Sequence, residues 1–145
     1  LERTVLMSYS VKFQSSLYGP FRVAADSAPK AQSALRDRAS YQLDPARPGD
    51  AWLCAERDAA EGADILMVKP GLPYLGLLRE LTREFPQPWA VYHTSGEFAA
   101  LEALAAQGLA PRAALHREIL TAFKRAGANM IITYGARQAR ELLGL

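Results

Sequence analysis

The stretch 64–70, DILMVKP, decides the fold. Its apolar residues run unbroken from 65 to 68, with Gly62 before them and Pro70 after. A run this short, with no polar face, fits a parallel strand covered on both sides. Three more such runs occur: 4–8 (TVLMS), 88–93 (PWAVYH) and 130–134 (MIITY). The segments between them carry helical spacing. Residues 50–61 end at Gly62, a suitable C-terminal cap. Leu75, Leu78, Leu81 and Phe85 space a helix over 75–85. Residues 98–107 are Ala-rich and stop at Gly108. Residues 111–126 open with a proline in the first turn and stop at Gly127. A last helix is expected over 136–143. Four β-then-α units in a row mean an α/β fold with a parallel sheet and right-handed crossovers. Two architectures fit: an open doubly wound sheet, or about four units of a (β/α)8 TIM barrel. Periodicity alone does not choose between them.

The 145 residues suffice for one domain with a real core; 50% are hydrophobic and 22% charged. The net charge of +2, with basic and acidic residues interleaved, argues against nucleic acid as a partner. The single cysteine, Cys54, excludes an internal disulfide framework and suggests a reducing compartment. It also excludes a cysteine-rich zinc site built from this chain alone. No apolar run approaches the roughly 20 residues that span a bilayer, so no membrane role is expected. The opening residues lead straight into an apolar run and do not read as a signal peptide. Nor do they read as a natural beginning, since the chain opens on Leu1, almost mid-strand.

Several side chains fall where such folds place chemistry. Lys69 directly follows the strand that ends at Val68, and strand C-terminal ends carry the active sites of parallel α/β folds. A desolvated lysine there can attack a carbonyl and form a Schiff base. The bland alternative is a solvated lysine. Lys12 lies just beyond the first strand and can converge with Lys69, each ammonium disfavouring the other's charge. The segment 12–47 is long for a connection and suits a functional lid. It holds Tyr18-Gly19-Pro20-Phe21-Arg22 and Arg38-Ala39-Ser40-Tyr41-Gln42. Arg22 and Arg38 suit bidentate capture of a carboxylate. Without the lysines nearby, they would read as scattered surface charges. Ser95 and Gly96 stand at a strand-to-helix junction able to bind an anion, though helix capping by Thr94 or Ser95 is the plainer reading. Tyr134 ends the fourth strand and can offer its hydroxyl to the same anion; alternatively it is a partly buried strand tyrosine. His93, His116 and Cys54 belong to no cluster and read as structural.

Five stretches together resemble the porphobilinogen synthase (δ-aminolevulinic acid dehydratase) family: MSYSVKFQSSLYGPFR (7–22), DRASYQ (37–42), EGADILMVKPGLPYL (61–75), AVYHTSGEF (90–98) and KRAGANMIITY (124–134). They fall in the family's order and cover nearly the whole chain. The resemblance implies a (β/α)8 barrel, with residues 1–145 as its C-terminal half and 13–47 as an active-site lid. It implies condensation of two 5-aminolevulinate molecules to porphobilinogen, a tetrapyrrole precursor, by a cytoplasmic or plastid enzyme. By the same resemblance Lys69 is the principal Schiff-base lysine and Lys12 the second catalytic lysine. Arg22, Arg38 and Gln42 would bind the carboxylate of one substrate, and Ser95 and Tyr134 that of the other. The family's zinc or magnesium would be held by the N-terminal half, along with the arm that builds its homo-octamer. An allosteric magnesium glutamate of some members aligns with Cys54, one turn before Arg57, so that site is not expected.

Two other readings compete. One is a different Schiff-base lyase of class I aldolase type. The other is a non-catalytic half-barrel that pairs its open sheet edges with a second copy.

Overall fold

A computed structural model describes residues 4–26 and 41–145. Strand β1 (Met7–Lys12) leads through a single 3-10 turn into helix α1 (Gly19–Ala24). Helix α2 (Asp50–Ala60) precedes strand β2 (Ile65–Lys69), and helix α3 (Leu75–Glu84) precedes strand β3 (Trp89–His93). Helices α4 (Ser95–Ala106) and α5 (Arg112–Arg125) both lie between β3 and strand β4 (Met130–Thr133). Helix α6 (Ala139–Leu143) comes last. Among the described residues the sheet is four-stranded and wholly parallel, in the order β1-β2-β3-β4.

The pleat sorts side chains between two faces. Leu66 and Val68 of β2, Trp89 and Val91 of β3 and Val11 of β1 pack with Ala51, Ala55, Leu78, Leu81 and Phe123 of the helices. Each large apolar side chain in that layer contributes about 1.5–3 kcal/mol by leaving water. The alternate residues, Met67 and Lys69 of β2 and Ala90 and Tyr92 of β3, point to the opposite face. β3 and β4 pair Tyr92 with Ile132 and His93 with Thr133. Tyr134 therefore continues the face of Tyr92.

β1 breaks this regularity once. Met7 pairs with Ile65 and Ser8 with Leu66, but Val11 pairs with Val68 and Lys12 with Lys69. Tyr9 and Ser10 together oppose Met67, which is a one-residue bulge. Without it, Lys12 would share the face of Ser8, toward the helices. With it, Lys12 lies beside Lys69 on the opposite face.

Several expected boundaries move. The first strand is Met7–Lys12 and not 4–8, so Lys12 and Lys69 are the last residues of their strands, not residues beyond them. The apolar character of 4–6 misplaced that strand, because Val5 and Leu6 are exposed. α4 starts at Ser95, not at 98, because Thr94 and Glu97 form a capping pair at its start. Pro111 is the N-cap of α5, in extended backbone, and not a residue of its first turn. The last helix divides into a 3-10 turn, Ala136–Gln138, and α6. Positive φ angles at Gly62 and Gly127 close α2 and α5 as expected.

Candidate active site

The C-terminal ends of the four strands present Lys12, Lys69, Tyr92 and Tyr134 on one face. They border a cleft of about 260 Å³ that is also lined by Tyr9, Tyr18, Arg22, Gln42 and Ser95. Lys69 Nζ lies 3.7 Å from the centre of the Tyr92 ring, 5.1 Å from that of Tyr9 and 5.4 Å from that of Tyr18. Lys12 Nζ lies 5.8 Å from the Tyr9 ring and 6.0 Å from the Tyr18 ring. Both amines therefore converge over the same two aromatic faces, which attract cations.

The backbone around Lys69 is held from several sides. Its carbonyl accepts from Phe13 N–H at 2.9 Å and from the Tyr18 hydroxyl at 3.2 Å. The Tyr18 hydroxyl also reaches the Phe13 carbonyl at 2.7 Å. The peptide bond from Lys69 to Pro70 is cis. A Cβ on Gly71 would meet Phe123 at 2.5 Å, so only glycine lets this loop lie against the core. Beyond it, Leu72 N–H donates to Glu97 Oε1 at 2.6 Å. Glu97 is buried, and burial pushes its pKa up against the lowering effect of the Thr94 and Leu72 donors. One carboxyl group thus joins the Lys69 loop to the start of α4.

The segment after β1 folds back over the cleft. Ser95 Oγ accepts from Phe21 N–H at 3.1 Å, which ties α1 to the N-terminus of α4. A Cβ on Gly96 would lie 2.5 Å from the Leu17 carbonyl oxygen, so glycine permits this close approach. The Arg22 guanidinium sits 5.6 Å from the Tyr18 ring centre. Leu43 pairs with Phe13 and donates its N–H to the Lys12 carbonyl at 2.9 Å. Gln42, next to it, has both side-chain amide atoms buried without a hydrogen-bond partner among the described residues. Polar atoms left in that state are costly, and here they line the cleft.

The phenols stay protonated. Tyr18 is pushed far above the usual tyrosine range, first by burial and then by Glu97 and Tyr74, with Arg22 opposing. Burial, then Tyr92, raises Tyr9. Burial, then Tyr134, raises Tyr92. Each is a neutral hydroxyl able to donate a hydrogen bond.

Lys12, Lys69, Arg22, Gln42, Ser95 and Tyr134 all meet at this cleft. Arg38 lies outside the described residues. Tyr9, Tyr18, Phe21, Tyr92 and Thr94 also line it without having been expected as site residues. Tyr92 was within reach of alternation, two residues after Ala90 on the same face. Tyr9 was not, because the bulge resets its strand. His93 and His116 lie on the helix side: His93 Nδ1 is 3.0 Å from Thr133 Oγ1, and His116 Nε2 is 2.6 Å from Glu102 Oε1. Among the described residues no group of three or more His, Cys, Asp or Glu gathers to hold a metal ion. Among them, too, no helix is long and apolar enough to cross a membrane.

A model of the delta-aminolevulinic acid dehydratase family matches residues 1–142. The bovine delta-aminolevulinic acid dehydratase is 51% identical over 142 residues, covering 97% of this chain and 42% of that protein. The Bacillus subtilis enzyme of the same name is 45% identical over 138 residues, covering 95% of this chain and 41% of its own length. A crystal structure of delta-aminolevulinic acid dehydratase (porphobilinogen synthase) from Toxoplasma gondii ME49, in complex with the reaction product porphobilinogen, superposes with a TM-score of 0.91 at 44% identity. It covers 97% of this chain and 39% of that one. The likeness decides for part of a TIM barrel over an open sheet. The chain spans about two fifths of the length of the curated relatives it matches. It belongs to the delta-aminolevulinic acid dehydratase family, as the C-terminal portion of that fold.

Proposed function

We propose that this chain carries the Schiff-base and carboxylate-binding part of a site that condenses two molecules of 5-aminolevulinate to porphobilinogen. The carrying observation is the pairing of Lys12 with Lys69, both amines over the Tyr9 and Tyr18 rings in one cleft. The Lys69 amine attacks the ketone of one substrate; the carbinolamine loses water and leaves an imine. The imine acidifies the neighbouring C–H, which readies that carbon for bond formation. Lys12 holds or activates the second substrate. The carbon beside the imine attacks the ketone of the second substrate, whose oxygen leaves as water once the C–C bond has formed. The amine of that second substrate then attacks the imine carbon, the C–N bond forms and the Lys69 amine leaves. Two waters are lost in all, and the lysine is regenerated.

Two substrates bring two carboxylates. Arg22, Gln42 and Arg38 are assigned to one, and the unpartnered Gln42 amide supports that assignment. Ser95 and Tyr134 are assigned to the other. Ser95 Oγ accepts from Phe21 N–H, which leaves its O–H to donate to a substrate carboxylate. The segment covering the cleft keeps water from the imine. The family relationship also supports a homo-oligomer, and a zinc or magnesium ion held outside the described residues. Incubation with aminolevulinate tests the reading: a pyrrole product is expected, and its absence from the assembled enzyme overturns it. The same assay separates this reading from a non-catalytic half-barrel.

A further inference from the structure

The buried stripe of α2 is Ala51, Ala55 and Asp58, spaced to lie on one helix face. The alanines let the helix lie close on the sheet. Asp58 occupies a core position and is only 8% exposed. A carboxylate there is costly unless it is bonded. It bonds to β1 at the last regular residue before the bulge: Ser8 Oγ donates to Asp58 Oδ2 at 2.5 Å. Ser10, also buried, approaches the same carboxylate without completing a well-formed hydrogen bond. Arg57 closes the group, with Nη2 2.7 Å and Nε 2.9 Å from Oδ1.

Ser8 and Ser10 flank Tyr9 at the bulge. Before the bulge, register is fixed by Leu6, whose N–H donates to Asp64 Oδ2 at 2.8 Å and whose carbonyl accepts from Asp64 and Ile65. After it, Lys12 pairs with Lys69, and Phe13 N–H bonds the Lys69 carbonyl. The two anchors differ by one residue, so the surplus must be absorbed between them. Asp58 is the side chain that grips the strand where this happens. We infer that Asp58 is a positioning residue that holds the β1 bulge and so turns Lys12 into the cleft beside Lys69. Its value to catalysis rests on the proposed function; its effect on Lys12 does not. A carboxylate suits the task because two acceptor oxygens take both hydroxyl and guanidinium donors. Its pKa is lowered: burial alone would raise it, and the Ser8 and Arg57 hydrogen bonds outweigh that.

Amine cross-linking with difluorodinitrobenzene, a very short bifunctional reagent, reads this directly. Peptide mapping of the wild-type protein should yield Lys12 joined to Lys69. In Asp58→Ala that linked peptide should fall by at least about fivefold, as expected when a buried charge-assisted bond is removed. Glu56→Ala, on the exposed side of the same helix, should leave it unchanged. Should Asp58→Ala not fold by circular dichroism, Ser8→Ala replaces it, with an expected fall of about twofold or more. An unchanged yield in whichever folded variant is read overturns the positioning role, whatever turnover does. A full wild-type cross-link in protein that turns over no aminolevulinate overturns the proposed function and leaves the positioning role standing.

Discussion

Strands β1 and β2 lie side by side and each ends in a lysine, yet they deliver it by different means. β2 is regular: Leu66 and Val68 enter the helix-side core, so Lys69 must face the cleft. β1 carries one surplus residue, and only that bulge brings Lys12 to the same face. Alternation along a regular strand sets a side chain locally. A bulged strand has no such local rule for the residues after the bulge, and the proposed role of Asp58 is to hold that bulge from α2 through its bond to Ser8.

The largest effect that tests this contrast is at Lys69 itself. Lys69→Met should lower turnover of aminolevulinate by roughly 1000-fold or more, the scale of losing a nucleophile that works as a unit with its neighbours. Steady-state pyrrole formation measures it.

Leu66 and Ser8 are register partners, and substituting each should separate stability from placement. Leu66→Ala should cost about 2–5 kcal/mol in urea unfolding, by opening a core cavity. Ser8→Ala should cost about 1 kcal/mol, yet only it should loosen the pairing of the two lysines. Equal stability losses would remove the distinction between the strands.

β3 ends in a third titratable group, turned the other way. Burial, with a smaller contribution from His116, lowers the His93 pKa to about 4 from 6.5. The unfolded chain takes up a proton below about pH 6.5 while the folded chain does not. Stability should therefore fall as pH drops from about 6.5 to about 4, by about 3 kcal/mol in all. Glu97, whose pKa is raised by burial, works in the opposite sense just above its ordinary 4.5. The measurement is thus the difference in pH slope between wild type and His93→Gln, and the variant should be flatter.

The smallest effect separates the lysines from each other. The Tyr92 ring lies 3.7 Å from Lys69 Nζ. Tyr92→Leu should remove about 0.5–1 kcal/mol of cation–aromatic attraction. Amine labelling of Lys69 should rise a few-fold, while that of Lys12 stays level.

The fold was legible in the sequence because its strands are short, apolar and punctuated by Gly and Pro. The lysine at the end of β2 was legible for the same reason. β1 was misplaced because Val5 and Leu6 are apolar yet exposed, and because no residue pattern announces a bulge. Capping by Thr94 was among the readings and holds, yet the helix bound fell late, at 98, because a charged residue at position 97 reads as surface until its bonds to Thr94 and Leu72 are seen. The carboxylate-binding roles proposed for Arg22, Ser95 and Tyr134 start from residue type and place in the chain and that of Gln42 from the family's motifs, and the fold brings all four to one cleft.

Borohydride reduction in the presence of 5-aminolevulinate, combined with peptide mapping, tests the assignment of Lys69 most directly. The reduced adduct should sit on Lys69. Pyrrole formation with Lys69 left unmodified would contradict it.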